Sequence, residues 1–152
     1  MSILKEKLLA IKTNVETRKM TSKEKKEEWI NRINNLFTQI SEWLKPMQDE
    51  QLLSITKTKI KIHEQLLGIY TVETMVVTFL NNETIEIIPI GRYVLGGNGR
   101  LDIKKGLNVI MIIGNDDGSW KFVQRDRFGK RVGSDFNKDN FEKFLSELID
   151  EY

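Results

Sequence analysis

The sequence contains no cysteine. Disulfides, a thiolate nucleophile and a zinc–thiolate site are excluded, and a reducing compartment fits. There is one histidine, His63, near the end of a lysine-bearing strand pattern. No carboxylate partners for a metal and no nucleophile for catalysis stand near it, so it reads as an exposed or strand-end residue. Long apolar runs are also missing. The longest is Val109–Ile113, far short of the roughly 20 residues that cross a bilayer. In MSILKEKLLAIK the charges interrupt the apolar residues too soon for an export-signal core. The expectation is a cytoplasmic protein without a membrane segment.

Of the 152 residues, 39% are hydrophobic and 30% charged, which suits one folded domain rather than a disordered chain. The abundance of Lys, Ile and Asn suggests an AT-rich bacterial or phage genome. The net charge of +2 hides an uneven distribution. Arg92 to Arg131 holds nine Lys/Arg and four Asp/Glu, a balance of +5, while Val132 to Tyr152 holds two and six, a balance of −4. The basic stretch could face an anionic partner. The plainer reading is neutralisation by the acidic last helix.

Leu4, Leu8, Ile11 and Val15 recur at helical spacing. A turn fits at Thr17–Met20, and Thr21 with Glu24 forms a capping-box pattern for a second helix. That helix carries Ile30, Ile33, Phe37, Ile40 and Leu44, widened by Trp29, Leu36 and Trp43 at intervals of seven. Pro46 disfavours a helical Lys45, so the helix should end there. From Leu52 the period changes to two. In Ser54–His63, Ile60 and Ile62 face one way and Lys57, Lys59 and Lys61 the other. Tyr70–Leu80, Thr84–Ile88, Arg92–Leu95, Arg100–Ile103, Leu107–Ile113 and Trp120–Val123 read as further strands, with a last short one near Val132. Turns are expected at Gly68, Asn81-Asn82, Lys105-Gly106, Asn115–Gly118 and Phe128–Lys130. Pro89 should lie at a strand end or on an edge. Asp139 and Glu142 should open a C-terminal helix whose stripe is Phe141, Phe144, Leu145, Leu148 and Ile149.

The fold class is thus α+β: a helical hairpin over 1–46, an antiparallel meander of six to seven short strands over 52–135, and a helix over 138–150, in a single domain.

Four patterns could carry chemistry. Gly96-Gly97-Asn98-Gly99 with Arg100 could cradle an anion, but phosphate loops normally open a helix, and a strand follows here. A hairpin turn is the simpler reading. Asp102 and Lys104 share a strand face, as in restriction-type metal nucleases, with Glu83, Glu86 or Asp116 as the second acid. The alternative is a cross-strand ion pair. Asp116-Asp117-Gly118 lacks the rest of a calcium loop and reads as a turn. In the basic segment, Tyr93, Trp120, Phe122 and Phe128 are interleaved with cations, which could stack bases and hold phosphates. Aromatics pointing inward and cations outward would produce the same alternation.

No cofactor motif occurs. The reading is a non-enzymatic binding or regulatory protein, accessory or immunity-like, acting on a macromolecular partner. Nucleic-acid binding and a metal-dependent nuclease are the alternatives. The expected contact residues are Arg92, Arg100, Lys104, Arg125 and Arg127. Trp29, Leu36 and Trp43 are core if the helices cover the sheet, and an interface, including a homodimer interface, if they project.

Overall fold

The computed structural model describes residues 2–94 and 97–149, with backbone only over 16–21. It is an α+β fold. Helix α1 (Ile3–Asp49) is followed by strands β1 (Leu53–Glu64), β2 (Gly68–Phe79), β3 (Thr84–Val94), β4 (Gly97–Lys105), β5 (Asn108–Gly114), β6 (Trp120–Arg125) and β7 (Arg131–Asp135), then by helix α2 (Lys138–Leu148). The strands form one antiparallel sheet in sequence order.

The hairpin expected over 1–46 is instead one helix of 47 residues, about 70 Å long at 1.5 Å per residue. Its backbone is helical through Thr17–Met20. The physical reason is the absence of a breaker, since no Gly or Pro occurs between Ile3 and Lys45. The Thr21 side chain of the expected capping box lies outside the described residues. Ser2 caps the helix, its Oγ accepting from the Lys5 N–H at 3.4 Å.

Pro46 does not end the helix at Lys45. It sits in the last turn, and the helix stops three residues later through a Schellman arrangement. Gln51 takes φ 62°, its N–H donates to Gln48 O at 3.0 Å, and the Leu52 N–H donates to Met47 O at 2.9 Å.

Both helices cover one face of the sheet. Trp29, Ile33, Leu36, Phe37, Ile40 and Leu44 of α1, and Phe141, Phe144 and Leu145 of α2, join Met75, Val77, Ile85, Ile87, Leu101, Ile103, Ile110, Ile112 and Phe122 in one core. Trp29 and Leu36 are fully enclosed, and Trp43 packs on Phe136 and Phe141 with ring centroids 5.0 and 5.4 Å apart. The two tryptophans and Leu36 therefore belong to the core rather than to an exposed interface. The exposed part of α1 lies further upstream, over Ile3–Val15.

Pro89 is inside β3 rather than at its end, but on a stretch where one flank of the strand is an open edge, the other position expected. The register shifts between Pro89 and Gly91, and the β2–β3 ladder reaches only from Thr78–Thr84 to Met75–Ile87. Pro89 lies past that ladder, so its missing N–H costs no bond to β2. Asn137, not Asp139, caps α2: its side chain accepts from the Asn140 N–H at 2.8 Å. Asp139 falls in the first turn, where a negative charge suits the helix dipole.

Candidate partner-binding face

Alternation along β4 turns Leu101 and Ile103 toward the helices and Arg100, Asp102 and Lys104 to the other side. The registers carry that outer face across the sheet. Asp102 is opposite Ile88 and Met111, Arg100 is opposite Ile113, Met111 is opposite Val123, and Ile113 is opposite Lys121. Beyond them, Lys121 is opposite Asp135, Val123 opposite Gly133, and Arg125 opposite Arg131. Met111, Ile113 and Val123 form a small second apolar cluster, the floor of this face. Arg100, Lys104, Lys121, Arg125 and Arg131 stand around it. Because Gly133 has no side chain, a groove of about 160 Å³ opens between Ile113, Lys121, Val123 and Arg131.

The cations differ in how their charge is met. Arg100 grips Asp102 through two parallel hydrogen bonds, Nε to Oδ1 at 2.8 Å and Nη2 to Oδ2 at 3.0 Å. Lys104 faces Glu86 across the β3–β4 ladder, and Lys121 faces Asp135. Arg125 and Arg131 are direct cross-strand partners, and Arg125 Nη1 donates to Gly129 O at 3.0 Å.

The turn joining them is held by its own acid. Asp126 Oδ1 accepts from the backbone N–H groups of Phe128 and Lys130, both at 2.9 Å. The Asp126 N–H donates to Lys130 O at 2.8 Å, and Gly129 takes φ 78°. The one acid between Arg125 and Arg131 is thus turned onto the backbone. Arg127 lies 5.0 Å from the Phe128 ring, and Phe128 is 82% exposed. The tip therefore presents Arg125, Arg127, Lys130 and Arg131 around an exposed aromatic ring.

Of the five expected contact residues, Arg100, Lys104 and Arg125 share the outer face and Arg127 is at the adjoining tip. Arg92 is on the helix side, and the β3 bulge is the reason. Gly91 is opposite Arg100 and Tyr93 opposite Asn98, so past the bulge the odd residues face outward. Trp120 and Phe122 point inward against Trp29 and Phe144, leaving Phe128 and Tyr93 as the exposed aromatics of the basic segment.

The other candidate sites resolve as follows. Gly97–Arg100 belongs to β4 of a β-hairpin, with Gly99 at φ 100° against the Trp29 ring; Gly96 lies outside the described residues. Asp102 and Lys104 do share a face, but both Asp102 oxygens are held by Arg100. Glu83 bonds Lys105, Glu86 faces Lys104, and Asp116 is in the β5–β6 turn. Among the described residues no three His, Cys, Asp or Glu side chains converge as a metal site. Asp117 accepts from the Ser119 N–H at 2.9 Å and from its hydroxyl, bonds that hold its carboxyl below the ordinary range and build the turn. His63 is exposed and stands opposite Ile69 at the β1–β2 end.

Two features had no signal in the sequence reading. Arg32 of α1 lies 4.6 Å from the Trp120 ring and 5.6 Å from Trp29, and its Nη1 donates to Asn98 O at 2.9 Å. Burial, and then the nearby charge of Arg92, lowers its pKa, with Glu28 opposing. Glu64 closes the open flank of β3. Its Oε1 accepts from the N–H groups of Arg92 (2.8 Å) and Tyr93 (3.1 Å), and its Oε2 accepts from the Tyr70 hydroxyl. That hydroxyl accepts in turn from Trp29 Nε1 at 3.0 Å. An arginine inside an apolar stripe and a glutamate at a strand end look unremarkable until the bulge and the helix end are placed.

No helix among the described residues is long and apolar enough to cross a membrane. The chain matches no protein-family model, no curated protein and no solved structure.

Proposed function

We propose that this chain is a non-enzymatic binding protein whose outer sheet face, with the β6–β7 tip, receives an acidic segment of a partner protein. The observation that carries this reading is the placement of Arg125 directly opposite Arg131, with Arg127, Lys130 and the exposed Phe128 between them. Cations gathered beside an exposed aromatic ring attract anionic groups.

A protein partner is favoured over a nucleic acid by the character of the face. Its cations alternate with Glu86 and Asp135 and surround an apolar floor, which suits mixed acidic and apolar side chains. The nucleic-acid reading draws on the same cations and on Phe128 as a stacking ring.

An electrophoretic shift assay with single-stranded and duplex oligonucleotides at two salt concentrations separates the two. The protein reading expects no shift at low salt. A shift that weakens steeply with salt, and is lost in Arg125→Glu/Arg131→Glu, would favour nucleic acid instead.

A further inference from the structure

Among the described residues, the apolar side chains over Ile3–Val15 are exposed. Leu4, Leu8, Ile11 and Val15 are 65%, 55%, 48% and 44% exposed, and contact with the sheet begins only near Trp29. At 1.5 Å per residue the overhang from Ile3 to Lys25 is about 35 Å long. A helix of this length without tertiary contacts is marginal in water.

The stripe continues an interface the chain already uses. Ile11 to Trp29 and Val15 to Ile33 are 18 positions apart, about five turns at 3.6 residues each. Leu4 to Ile40 and Leu8 to Leu44 are 36 apart, about ten turns. By helical periodicity the exposed stripe falls on the same side of α1 as the residues buried on the sheet further along. Trp29 is the first of these, resting on Gly99 and bonded to Tyr70.

This direction and the flanking charges select the occupant. The sheet stands on the same side of α1, so a flat bilayer lying along the stripe would run into it, whereas a single helix would not have to. In heptad terms Leu4, Leu8, Ile11 and Val15 are d, a, d and a, which puts Lys5 and Lys12 at e and Lys7 at g. Two copies pairing through this stripe, in either direction, would set lysine against lysine. Glu6 is on the opposite side of the helix and cannot compensate. We propose that the overhang of α1 is a docking helix for an amphipathic helix of another protein whose apolar stripe is flanked by acids. This surface is separate from the outer sheet face, and either assignment can fail without the other.

The test uses the full chain and two labelled synthetic heptad peptides, both with Leu at a and d, one with Glu and one with Lys at e and g. Fluorescence anisotropy should show the Glu peptide binding at least tenfold tighter than the Lys peptide. That binding should vanish in Leu8→Glu/Ile11→Glu. The melting temperature should hold within about 2 °C, because neither side chain belongs to the core. Equal binding of the two peptides, or none, would overturn the assignment. So would a dimer in sedimentation that the same variant disperses, or co-sedimentation with anionic phosphatidylserine vesicles that it abolishes.

Discussion

Arg125 and Arg131 face each other across the β6–β7 ladder, on the side of the sheet away from both helices. A short hairpin could have placed opposite charges there at no geometric cost. Arg125→Glu creates such a pair with Arg131 while removing the Arg125 Nη1 bond to Gly129 O. Cross-strand charge pairs are worth about 0.2–1 kcal/mol, so the variant should be neutral or more stable by up to about 0.5 kcal/mol in urea unfolding. Partner binding should fall at the same time. A gain in stability joined to a loss of binding is the behaviour of a residue kept for function.

Gly133 and Gly99 separate the groove from the frame. At Gly133 an added Cβ would meet only Phe122 O, at 3.8 Å. Gly133→Val should therefore fold with stability changed by less than about 0.5 kcal/mol, as for surface substitutions generally, while filling the groove and weakening partner binding. At Gly99 the added Cβ would come within 2.4 Å of the Trp29 ring, on a backbone at φ 100°. Gly99→Ala should cost about 2–4 kcal/mol, combining backbone strain with a clash in the core. Thermal and urea unfolding of the two variants check both statements.

Tyr70 joins Trp29 to Glu64, and burial followed by its bond to Glu64 raises its pKa above the ordinary 10.0. A raised folded-state pKa means that the folded chain keeps this proton longer than the unfolded chain. The stabilisation is complete below about pH 10 and declines as pH rises above it. Tyr70→Phe strands the Trp29 N–H and a Glu64 oxygen, and should cost about 1–3 kcal/mol at neutral pH. The wild-type chain should also lose stability more steeply than Tyr70→Phe between pH 10 and 11.5, measured by urea titration at each pH.

Asp102 answers Arg100 with both oxygens and is mostly buried, its side chain 12% exposed against 30% for Arg100. Asp102→Ala should cost about 1–2 kcal/mol, less than a fully buried pair because the guanidinium retains some water. Arg100→Met in the same background should recover part of that loss. A nuclease built on Asp102 would instead show magnesium- or manganese-dependent cleavage that disappears in Asp102→Ala. The binding account expects no cleavage in either protein.

How far the sequence could be read depended on whether a local signal had a competitor. Alternation in β4 and β6 was unopposed: it put Asp102 and Lys104 on one face and set Lys121 apart from Trp120 and Phe122. Asn82 supplied its positive φ of 69° as the Asn-Asn pair promised. The α1 turn failed because a capping pattern at Thr21 is weaker than an uninterrupted run without Gly or Pro. Arg92 was assigned with the other cations because a one-residue bulge is invisible in composition, yet it exchanges the two faces of a strand. Trp29 and Trp43 could be read either way. Only the end of the sheet, which no sequence pattern marks, separates buried Trp29 from exposed Val15.

The most direct test of the binding account places a photo-reactive benzoyl-phenylalanine at position 128 of the full chain and irradiates it in extract of the native host. A discrete protein adduct should form with the wild-type surroundings and disappear in Arg125→Glu/Arg131→Glu. No adduct, or one that survives the charge reversal, would contradict the claim that the β6–β7 tip and the outer face hold an acidic partner.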